Sequence, residues 1–446
     1  MKKFAFVLTA AVLFTMLAGC AGGGATEAPG GSAGAETNAE TNAETPKGTD
    51  AAPAGKTTVQ FWHALGGGNG DFLNAMIQRF NESQDEIEVV GTFQGNYDET
   101  VTKLQQAVSA GTAPEIAMVE RAYVELFADS DVLEDLAPYL SASGMSEADF
   151  TPGLMGHSTF NGKLVSLPLN RSTPIMHVNK TMLDENGLNV PTTWEEMKQV
   201  ANALVQKENG EVTRYGLTMP YDTWYPIAMI TQAKGTFFNA ENTSVGFVDN
   251  GVGQKVFGYL KELQSTGALY YPPAQDSGSI TNQMFAEGKV GMMFQSTGAI
   301  GGLQKSVAFD YVTAFLPADE VHANPTGGAN VVVMSGAKNK DAAWKFIHWV
   351  MTDPGGAQQF VIDTGYLPFT TKMVESQAMK DLWAKEPNRK VAYDQLQYAI
   401  DTNKDVNWPE VMHEFFSAIE AIMYDNGDIA STLDTFKKEA ERILAQ

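Results

Sequence analysis

The sequence predicts an α/β fold with two lobes, and three observations support this prediction. Short apolar runs alternate with longer stretches in which apolar residues recur at helical spacing. This alternation occurs over about residues 57–120 and again from about residue 174, and from about residue 340 the pattern is mostly helical. Because strand–helix–strand order places helices over a parallel sheet, each round predicts one α/β unit. Two units predict two lobes with a cleft between them, where small ligands usually bind.

The first unit contains three predicted strands and two predicted helices. We expect strands at 58–63, 87–93 and 115–119, and helices at 71–84 and 98–110. The glycine run at 66–70 is expected to separate the first strand from its helix. Further along, Asn161-Gly162 predicts a tight hairpin turn.

The second unit is followed by a helical tail. We expect strands at 174–179, 215–219, 290–294 and 329–334. Thr193 is expected to cap a helix, and the tail is expected to break at Pro354-Gly355, at 365–368 and at Pro409. The predicted lobe boundaries, which are approximate, are 57–168 with 308–350 for the first lobe, and 169–307 with 351–446 for the second.

The N-terminus predicts a secreted protein that is held at a membrane. Two lysines precede a short apolar run that ends in Leu17-Ala18-Gly19-Cys20. This ending resembles a bacterial lipobox, which implies removal of residues 1–19 as a signal peptide and acylation of Cys20. An ordinary signal peptide with an accidental cysteine is the alternative. Residues 20–56 lack large apolar side chains after the cysteine and predict a disordered tether. We therefore expect a lipid anchor at the extracytoplasmic face of the bacterial cell membrane.

Composition and charge exclude several classes of protein. The 446 residues include 30 Lys and Arg against 53 Asp and Glu, a formal net charge of −23. An acidic chain without basic clusters is unsuited to nucleic acid. A single cysteine excludes internal disulfides, and the six histidines form no i, i+4 pair, so we expect no metal site.

Patterns for cofactors and catalysis fail at specific residues. The glycines at 66–70 do not complete G-x-G-x-x-G, because Asp71 and Leu73 occupy required positions. Gly156-His157-Ser158 begins like a nucleophile elbow, but Phe160 replaces the closing glycine. We therefore expect a protein that is not an enzyme and has no cofactor.

Aromatic residues near glycines and small polar residues favour a site for sugars or polyols. Aromatic faces stack on the C–H faces of sugars, while hydroxyl and backbone groups bind the polar edges. Each ring taken alone is also consistent with a core position. The candidates are Trp62, Tyr97, Tyr221, Trp224, Tyr225 and Tyr366.

Six short motifs occur in order along the folded part of the chain. They are Phe61-Trp62-His63, Gly95-Asn96-Tyr97, Gly111-Thr112-Ala113-Pro114, Ser172-Thr173-Pro174, Gly327-Gly328-Ala329 and Thr364-Gly365-Tyr366-Leu367-Pro368. With these motifs the sequence resembles the extracellular solute-binding proteins of ABC importers, in the branch that includes maltose- and glycerol-3-phosphate-binding proteins. The resemblance covers about residues 58–446. It implies a periplasmic-binding-protein-like fold, with a hinge and a ligand cleft.

The resemblance also implies ligand-binding residues. Trp224 falls on one of a pair of stacking tryptophans and Tyr221 on the other. An ungapped alignment places Arg121 where the family has a hydroxyl-binding glutamate, with Glu120 beside it. The residues that match positions hydrogen-bonding glycerol phosphate in that branch are Tyr97, Ser172, Ser296, Gly328 and Tyr366.

One position departs from the glycerol-phosphate pattern. The arginine that binds phosphate in that branch is replaced by Met412, which offers no hydrogen-bond donor. Arg171 or Arg121 is the alternative source of positive charge, and a surface or lobe-bridging role is the alternative for Arg171. A neutral sugar or a glycerophosphodiester fits Met412 better than free glycerol phosphate.

The resemblance implies a substrate-binding lipoprotein that captures a polyol-type solute by lobe closure and docks on ABC permease subunits, as a monomer. The solute would be a sugar or a glycerol-phosphate-like compound. An extracellular carbohydrate-active hydrolase, or a surface receptor that does not transport, remains the alternative.

Overall fold

The structure is a computed structural model that describes residues 55–401 and 405–446. The predicted signal peptide, Cys20 and the predicted tether up to residue 54 lie outside the described residues. Among those described, no helix is both long and apolar enough to cross a bilayer. Strands and helices are both plentiful, and the strands form two main sheets.

The strands, in chain order, are β1 (Thr57–His63), β2 (Ile87–Phe93), β3 (Ile116–Glu120), β4 (Thr159–Phe160), β5 (Lys163–Leu164), β6 (Leu167–Pro168), β7 (Pro174–Asn179), β8 (Gln206–Glu208), β9 (Glu211–Thr218), β10 (Leu269–Tyr270), β11 (Val290–Ser296), β12 (Tyr311–Ala314), β13 (Asn324–Pro325), β14 (Ala329–Val333) and β15 (Ala399–Ile400).

The helices are α1 (Gly67–Ser83), α2 (Tyr97–Ala110), α3 (Val124–Asp129), α4 (Ala137–Ala142), α5 (Lys180–Glu185), α6 (Trp194–Ala203), α7 (Trp224–Gln232), α8 (Gly246–Asp249), α9 (Val252–Thr266), α10 (Ser277–Ala286), α11 (Ile300–Ser306), α12 (Lys340–Thr352), α13 (Gln359–Thr364), α14 (Thr371–Glu375), α15 (Gln377–Lys385), α16 (Asn388–Asp394), α17 (Trp408–Met423) and α18 (Ile429–Leu444).

The first sheet has the strand order β2-β1-β3-β14-β6, and we call the part of the molecule around it the first lobe. β1 runs parallel to β2 and β3, whereas β14 is antiparallel to its neighbours. Helices α1, α12 and α13 pack on this sheet through one apolar cluster. The predicted parallel α/β unit is therefore present, with antiparallel strands added at one side.

The second sheet has the order β10-β9-β11-β7-β12, with β8 paired to β9, and defines the second lobe. β10, β9 and β11 are parallel, and β7 and β12 are antiparallel to their neighbours. Helices α6, α7, α9, α17 and α18 bury their apolar faces in a second large cluster. The two-lobed α/β prediction is confirmed.

Local sequence signals explain several element boundaries. The Asn96 side chain accepts a hydrogen bond from the Glu99 amide, and the Glu99 carboxylate accepts one from the Asn96 amide, so a complete capping box begins α2. Thr193 caps α6 as predicted. Asn161 and Gly162 take φ values of 48° and 80°, the paired positive values that a tight two-residue hairpin requires.

One predicted break is wrong and another is confirmed. The glycine run at 66–70 does not separate β1 from its helix, because it forms the first turn of α1, where the Gly70 amide donates to the Gly66 carbonyl at 3.1 Å. The predicted break at Pro409 is confirmed, because residues 399–401 and 405–407 are not helical and α17 begins at Trp408, with Pro409 in its first turn. A proline there loses nothing, since that amide has no partner within the helix.

The predicted lobe boundaries need two corrections. β12, expected in the first lobe within 308–350, pairs with β7 in the second sheet. Residues 359–392, expected in the second lobe, contribute Phe360, Leu367 and Met379 to the apolar cluster of the first lobe. α17 and α18 of the tail pack in the second lobe, and Asn388 at the start of α16 hydrogen-bonds Tyr311 and Thr313 of β12. Helical periodicity indicates that a face is buried, but it does not indicate which lobe covers it.

Three segments pass between the lobes, and we call their described residues together the hinge: 169–173, 315–328, and 395–401 with 405–407. The first two pair through Ser172 and Gly327, whose amides and carbonyls exchange hydrogen bonds of 3.0 and 2.8 Å. The second and third pair as β13 and β15. Backbone pairing thus joins each segment of the hinge to the next.

Candidate functional site

A cavity of about 400 Å³ lies between the lobes and against the hinge. Its volume falls in the range of sites for small organic ligands, roughly 300–1,000 Å³. Residues from both lobes and the hinge line it; those used below are Tyr97, Asp98, Glu120, Arg121, Tyr123, Ser172, Asp222, Trp224, Tyr225, Ser296, Gly327, Gly328, Tyr366, Met412 and Phe416.

The first-lobe wall is built where α2 begins and β3 ends. Tyr97 is the first residue of α2, and its hydroxyl oxygen accepts a hydrogen bond from the Asn170 side chain at 2.7 Å. Glu120 is the last residue of β3, and its carboxylate accepts the Ala122 amide at 2.8 Å. Carboxyl ends of parallel strands are the usual place for ligands in such sheets.

The second-lobe wall is centred on Trp224, the first residue of α7. The Asp222 carboxylate accepts the Trp224 amide at 2.9 Å, and the indole nitrogen donates to the Pro325 carbonyl of the hinge at 3.1 Å. A Cβ atom at Gly327 would lie 2.6 Å from the indole ring. Gly327 is therefore required where the ring approaches the hinge backbone.

Seven of the nine predicted ligand-binding residues line this cavity: Tyr97, Glu120, Ser172, Trp224, Ser296, Gly328 and Tyr366. Two other aromatic residues that the sequence suggested, Tyr225 and Trp62, differ in whether they line the cavity. Tyr225 also lines the cavity, and its hydroxyl donates to the Gln295 side chain at 3.1 Å, whereas Trp62 does not line it. The structure therefore brings together most of the predicted set from positions 269 residues apart.

Tyr221 does not line the cavity, contrary to the prediction. Its hydroxyl donates to the Phe416 carbonyl at 3.0 Å, and its ring packs against Phe416 and Tyr424. Phe416 itself does line the cavity. Tyr221 thus packs behind Phe416, one layer away from the cavity.

Arg171 is also misplaced by the prediction, because it is fully buried in the hinge and does not line the cavity. Its guanidinium donates to the carbonyls of Gly327 and Leu154 at 3.0 and 2.8 Å, and to the Thr326 hydroxyl at 2.9 Å. Burial lowers the pKa of Arg171 to about 9, with the charge of Arg121 acting in the same direction. Arg171 joins segments of the hinge.

Arg121 lines the cavity but is bound to the protein. Its Nε donates to the Thr326 carbonyl at 2.6 Å, and its Nη1 lies 3.0 Å from Nε2 of His157. The other ring nitrogen of His157 lies 2.9 Å from the Glu125 carboxylate. A neutral imidazole protonated on Nδ1 satisfies both contacts, accepting from Arg121 and donating to Glu125.

Carboxylates dominate the electrostatics of the cavity. Burial raises the pKa of Asp222 to about 6, and Asp98 and Glu120 act in the same direction. Burial also raises the pKa of Glu120, against the nearby charge of Arg121. Among the described residues that line the cavity, Arg121 is the only lysine or arginine. An anionic ligand would meet like charges here.

Sequence reasoning missed four lining residues that shape this environment: Asp98, Tyr123, Asp222 and Phe416. Asp98 directly follows Tyr97, and Asp222 lies between two aromatic candidates, so proximity to them was the available signal. Nothing in the sequence distinguished Tyr123 and Phe416 from core residues.

The raised pKa of Asp222 makes its charge destabilising at neutral pH. Since the folded state holds this proton more tightly than the unfolded state, whose pKa is near 3.8, stability is lost as pH rises from about 4 through about 6. We expect Asp222→Asn to raise the free energy of unfolding by about 1 kcal/mol at pH 7.5, where the cleft partly screens the charge of the carboxylate. At pH 4 the change in stability should be almost zero, because the carboxyl is then protonated in the folded state. Urea unfolding at both pH values measures this.

The control for Asp222→Asn is Asp131→Asn. Lys163 holds the pKa of that exposed carboxylate below its ordinary value, so removing its charge should give no stabilisation at pH 7.5. Equal stability of Asp222→Asn and the unmodified protein at pH 7.5 would contradict the electrostatic account of the cavity.

Two lobes joined by three hinge segments, with a cavity between them, define a ligand-binding protein of the two-lobed type. The chain matches the bacterial extracellular solute-binding protein family over residues 75–390 and belongs to that family. The resemblance drawn from the six motifs is thereby confirmed.

Relatives of known name agree with this membership. The sn-glycerol-3-phosphate-binding periplasmic protein of Rhizobium meliloti is 25% identical over 409 residues, which cover 87% of this chain and 94% of that protein. UgpB from Mycobacterium tuberculosis, solved with glycerophosphocholine, has a TM-score of 0.79 at 24% identity, covering 88% and 99%. The GacH receptor of Streptomyces glaucescens, solved unliganded and with acarbose, has a TM-score of 0.78 at 20% identity, with the same coverage. These structural likenesses concern the fold.

Proposed function

We propose that this protein captures a hydroxyl-rich solute outside the cell by closing its two lobes, and delivers it to the permease of an ABC importer. The observation that carries the proposal is the cavity between the lobes, whose walls combine aromatic rings with hydrogen-bonding groups. The family membership and the names of the relatives support it.

The lining suits stacking combined with hydrogen bonding. Trp224 and Phe416 supply aromatic surface from the second lobe, and Tyr97 and Tyr366 supply rings with hydroxyl groups. Such rings contact the C–H faces of a sugar or polyol, while Glu120 accepts hydrogen bonds from its hydroxyls.

The position of the cavity supplies a mechanism of capture. Tyr97 and Glu120 belong to the first lobe, and Trp224 and Ser296 to the second, so a ligand contacts both sets only when the lobes are closed. A ligand that binds the closed form better shifts the population toward it. Hinge closure around a solute is the established mode of two-lobed binding proteins. Tyr366 belongs to the first lobe, where its ring stacks on that of Phe360 with 5.6 Å between the ring centroids.

The charges favour an uncharged solute or a phosphodiester over a phosphate monoester. Met412 lines the cavity where the related branch has its arginine, and Arg171 and Arg121 are engaged in the hinge. The relatives named for glycerol phosphate and the structure with glycerophosphocholine keep a glycerophosphodiester in the proposal beside a neutral sugar.

The proposal further includes anchoring through an acylated Cys20, a monomeric state and the absence of catalysis. The lipobox-like ending supports the anchor. The family is one of binding proteins, which favours binding over the alternative of a hydrolase. Incubation with oligosaccharides and product analysis separates the two, because turnover would refute the transport function.

A thermal-shift panel tests the proposed function. The panel contains glucose, maltose, maltotriose, lactose, cellobiose, glycerol phosphate and glycerophosphocholine. A solute that binds only the native state raises the midpoint of unfolding in a concentration-dependent way. We expect a neutral sugar or glycerophosphocholine to do so, and glycerol phosphate to have less effect. No shift with any member would contradict the proposal.

Trp224→Ala tests whether the indole ring stacks on the bound solute. Removal of the stacking ring is expected to weaken binding of the best panel member by about 1–3 kcal/mol, roughly 5- to 150-fold in Kd. Isothermal titration calorimetry measures the loss, and Trp224→Phe, which keeps a ring, should retain most of the affinity. Unchanged affinity in a folded Trp224→Ala protein would place the ring outside the binding site.

A further inference from the structure

We infer that the binding site continues into a second chamber and that the solute has two parts, the outer of which is not anionic. The inference rests on the proposed function and specifies the class of solute. The second chamber, which we call the outer groove, has a volume of about 430 Å³ and adjoins the cavity described above.

The outer groove lies between the two lobes. One side is formed by α2, which presents Thr102 and Gln105, and the other by the start of α17, which presents Asn407 and Glu410. Because α2 belongs to the first lobe and α17 to the second, an occupant of the groove would contact both lobes. It would therefore favour the closed form in the same way as an occupant of the inner cavity.

The two chambers meet at a neck. Asp98, Tyr123, Met412 and Phe416 line both of them. The Tyr123 hydroxyl donates to the Asp98 carboxylate at 2.6 Å, which fixes one side of the neck, and Met412 and Phe416 form the other side from α17. A solute bound in the inner cavity can thus extend past these side chains into the groove.

The chemistry of the groove limits what the outer part can be. Its polar side chains include amides and a hydroxyl, and Phe416 offers an aromatic surface, which suits a hydroxyl-rich unit. Among the described residues that line the groove, none is a lysine or arginine, whereas Asp98 and Glu410 are acidic. Arg442 lies 3.8 Å from the Glu410 carboxylate but does not line the groove. A phosphate or carboxylate in the groove would therefore face Asp98 and Glu410, with the imidazole of His413 as the one basic side chain among the described lining residues.

A length series distinguishes one-part from two-part solutes. We expect maltose, lactose or cellobiose to bind at least tenfold more tightly than glucose, as measured by calorimetry. Equal affinity of the monosaccharide and every longer sugar would overturn the inference and leave the proposed function standing. Failure of every panel member to bind would refute the proposed function itself, and the inference with it.

Filling the groove tests its position. Thr102→Trp places a large ring on an exposed face of α2 that lines the groove, and Gln106→Trp places the same ring on an exposed position of α2 that does not. We expect Thr102→Trp to reduce the affinity for the longer sugar at least tenfold and to leave glucose unaffected, with no change in Gln106→Trp. A Thr102→Trp protein that binds the longer sugar normally would overturn the inference.

Discussion

Replacing Arg171 by methionine is expected to lower the free energy of unfolding by about 3 kcal/mol. The guanidinium is fully buried and donates hydrogen bonds to Gly327 and Thr326 of the hinge and to the Leu154 carbonyl of the first lobe. Methionine has a similar length but no donor, so several buried acceptors lose their partners at about 1–3 kcal/mol each. Part of this loss is offset, because the buried charge itself is unfavourable, as the lowered pKa of Arg171 indicates.

Urea unfolding at pH 7 measures the effect, and Arg442→Met is the matched control. Arg442 is exposed and paired with Glu439 on the surface of α18. Exposed pairs contribute about 0–1 kcal/mol, so the control should change stability little. Equal stability of the two variants would contradict the structural role assigned to Arg171.

Replacing Gly328 by alanine is expected to cost a similar amount, about 3 kcal/mol. Gly328 has φ of +83°, a conformation that costs an L-residue roughly 1–2 kcal/mol. The added Cβ would also lie 2.0 Å from the Asn170 carbonyl oxygen. That oxygen belongs to the hinge backbone, which cannot withdraw as a flexible side chain could. Because Gly328 lines the cavity, binding of the best panel member should weaken as well.

Gly258→Ala is the control for this substitution. Gly258 lies within α9, and a Cβ there meets no atom within 4 Å. Alanine is favoured over glycine in a helix by roughly 0.5–1 kcal/mol, so this variant should be slightly more stable than the unmodified protein. The changes in the free energy of unfolding should therefore have opposite signs in the two alanine variants. A Gly328→Ala protein as stable as the unmodified protein would show that the hinge backbone can move aside.

Strands and helices of this protein could be predicted well from local pattern. β2 and β7 have the predicted bounds: β7 is buried along its whole length, and β2 begins with alternating buried and half-buried residues, and both patterns are typical of strands. Lobe membership could not be predicted for residues 359–392, because the same helical face would be buried equally well in either lobe. Topology depends on which distant segments pair with each other, and the local pattern of a single sequence does not indicate those partners.

Residues that line the cavity could be predicted where they belong to a recognised motif, but the prediction was less accurate for the residues next to a motif. Ser172 lines the cavity, whereas its neighbour Arg171 does not. Successive residues of an extended chain point to opposite sides, so one residue of this segment reaches the cavity and the next reaches into the hinge. Tyr221 shows the same limit, because a shift of a few residues from Trp224 moves a ring from the wall to the layer behind it.

Thr326 is contacted by both buried arginines, its carbonyl by Arg121 and its hydroxyl by Arg171. The pivot of the molecule is therefore held by polar groups of the first lobe and the linking segments, while Trp224 and Met412 stand on separate helices of the opposite lobe. Solute preference can consequently diversify at Met412 on α17, whereas a change at Trp224 would also remove the hydrogen bond that its indole donates to the Pro325 carbonyl of the hinge.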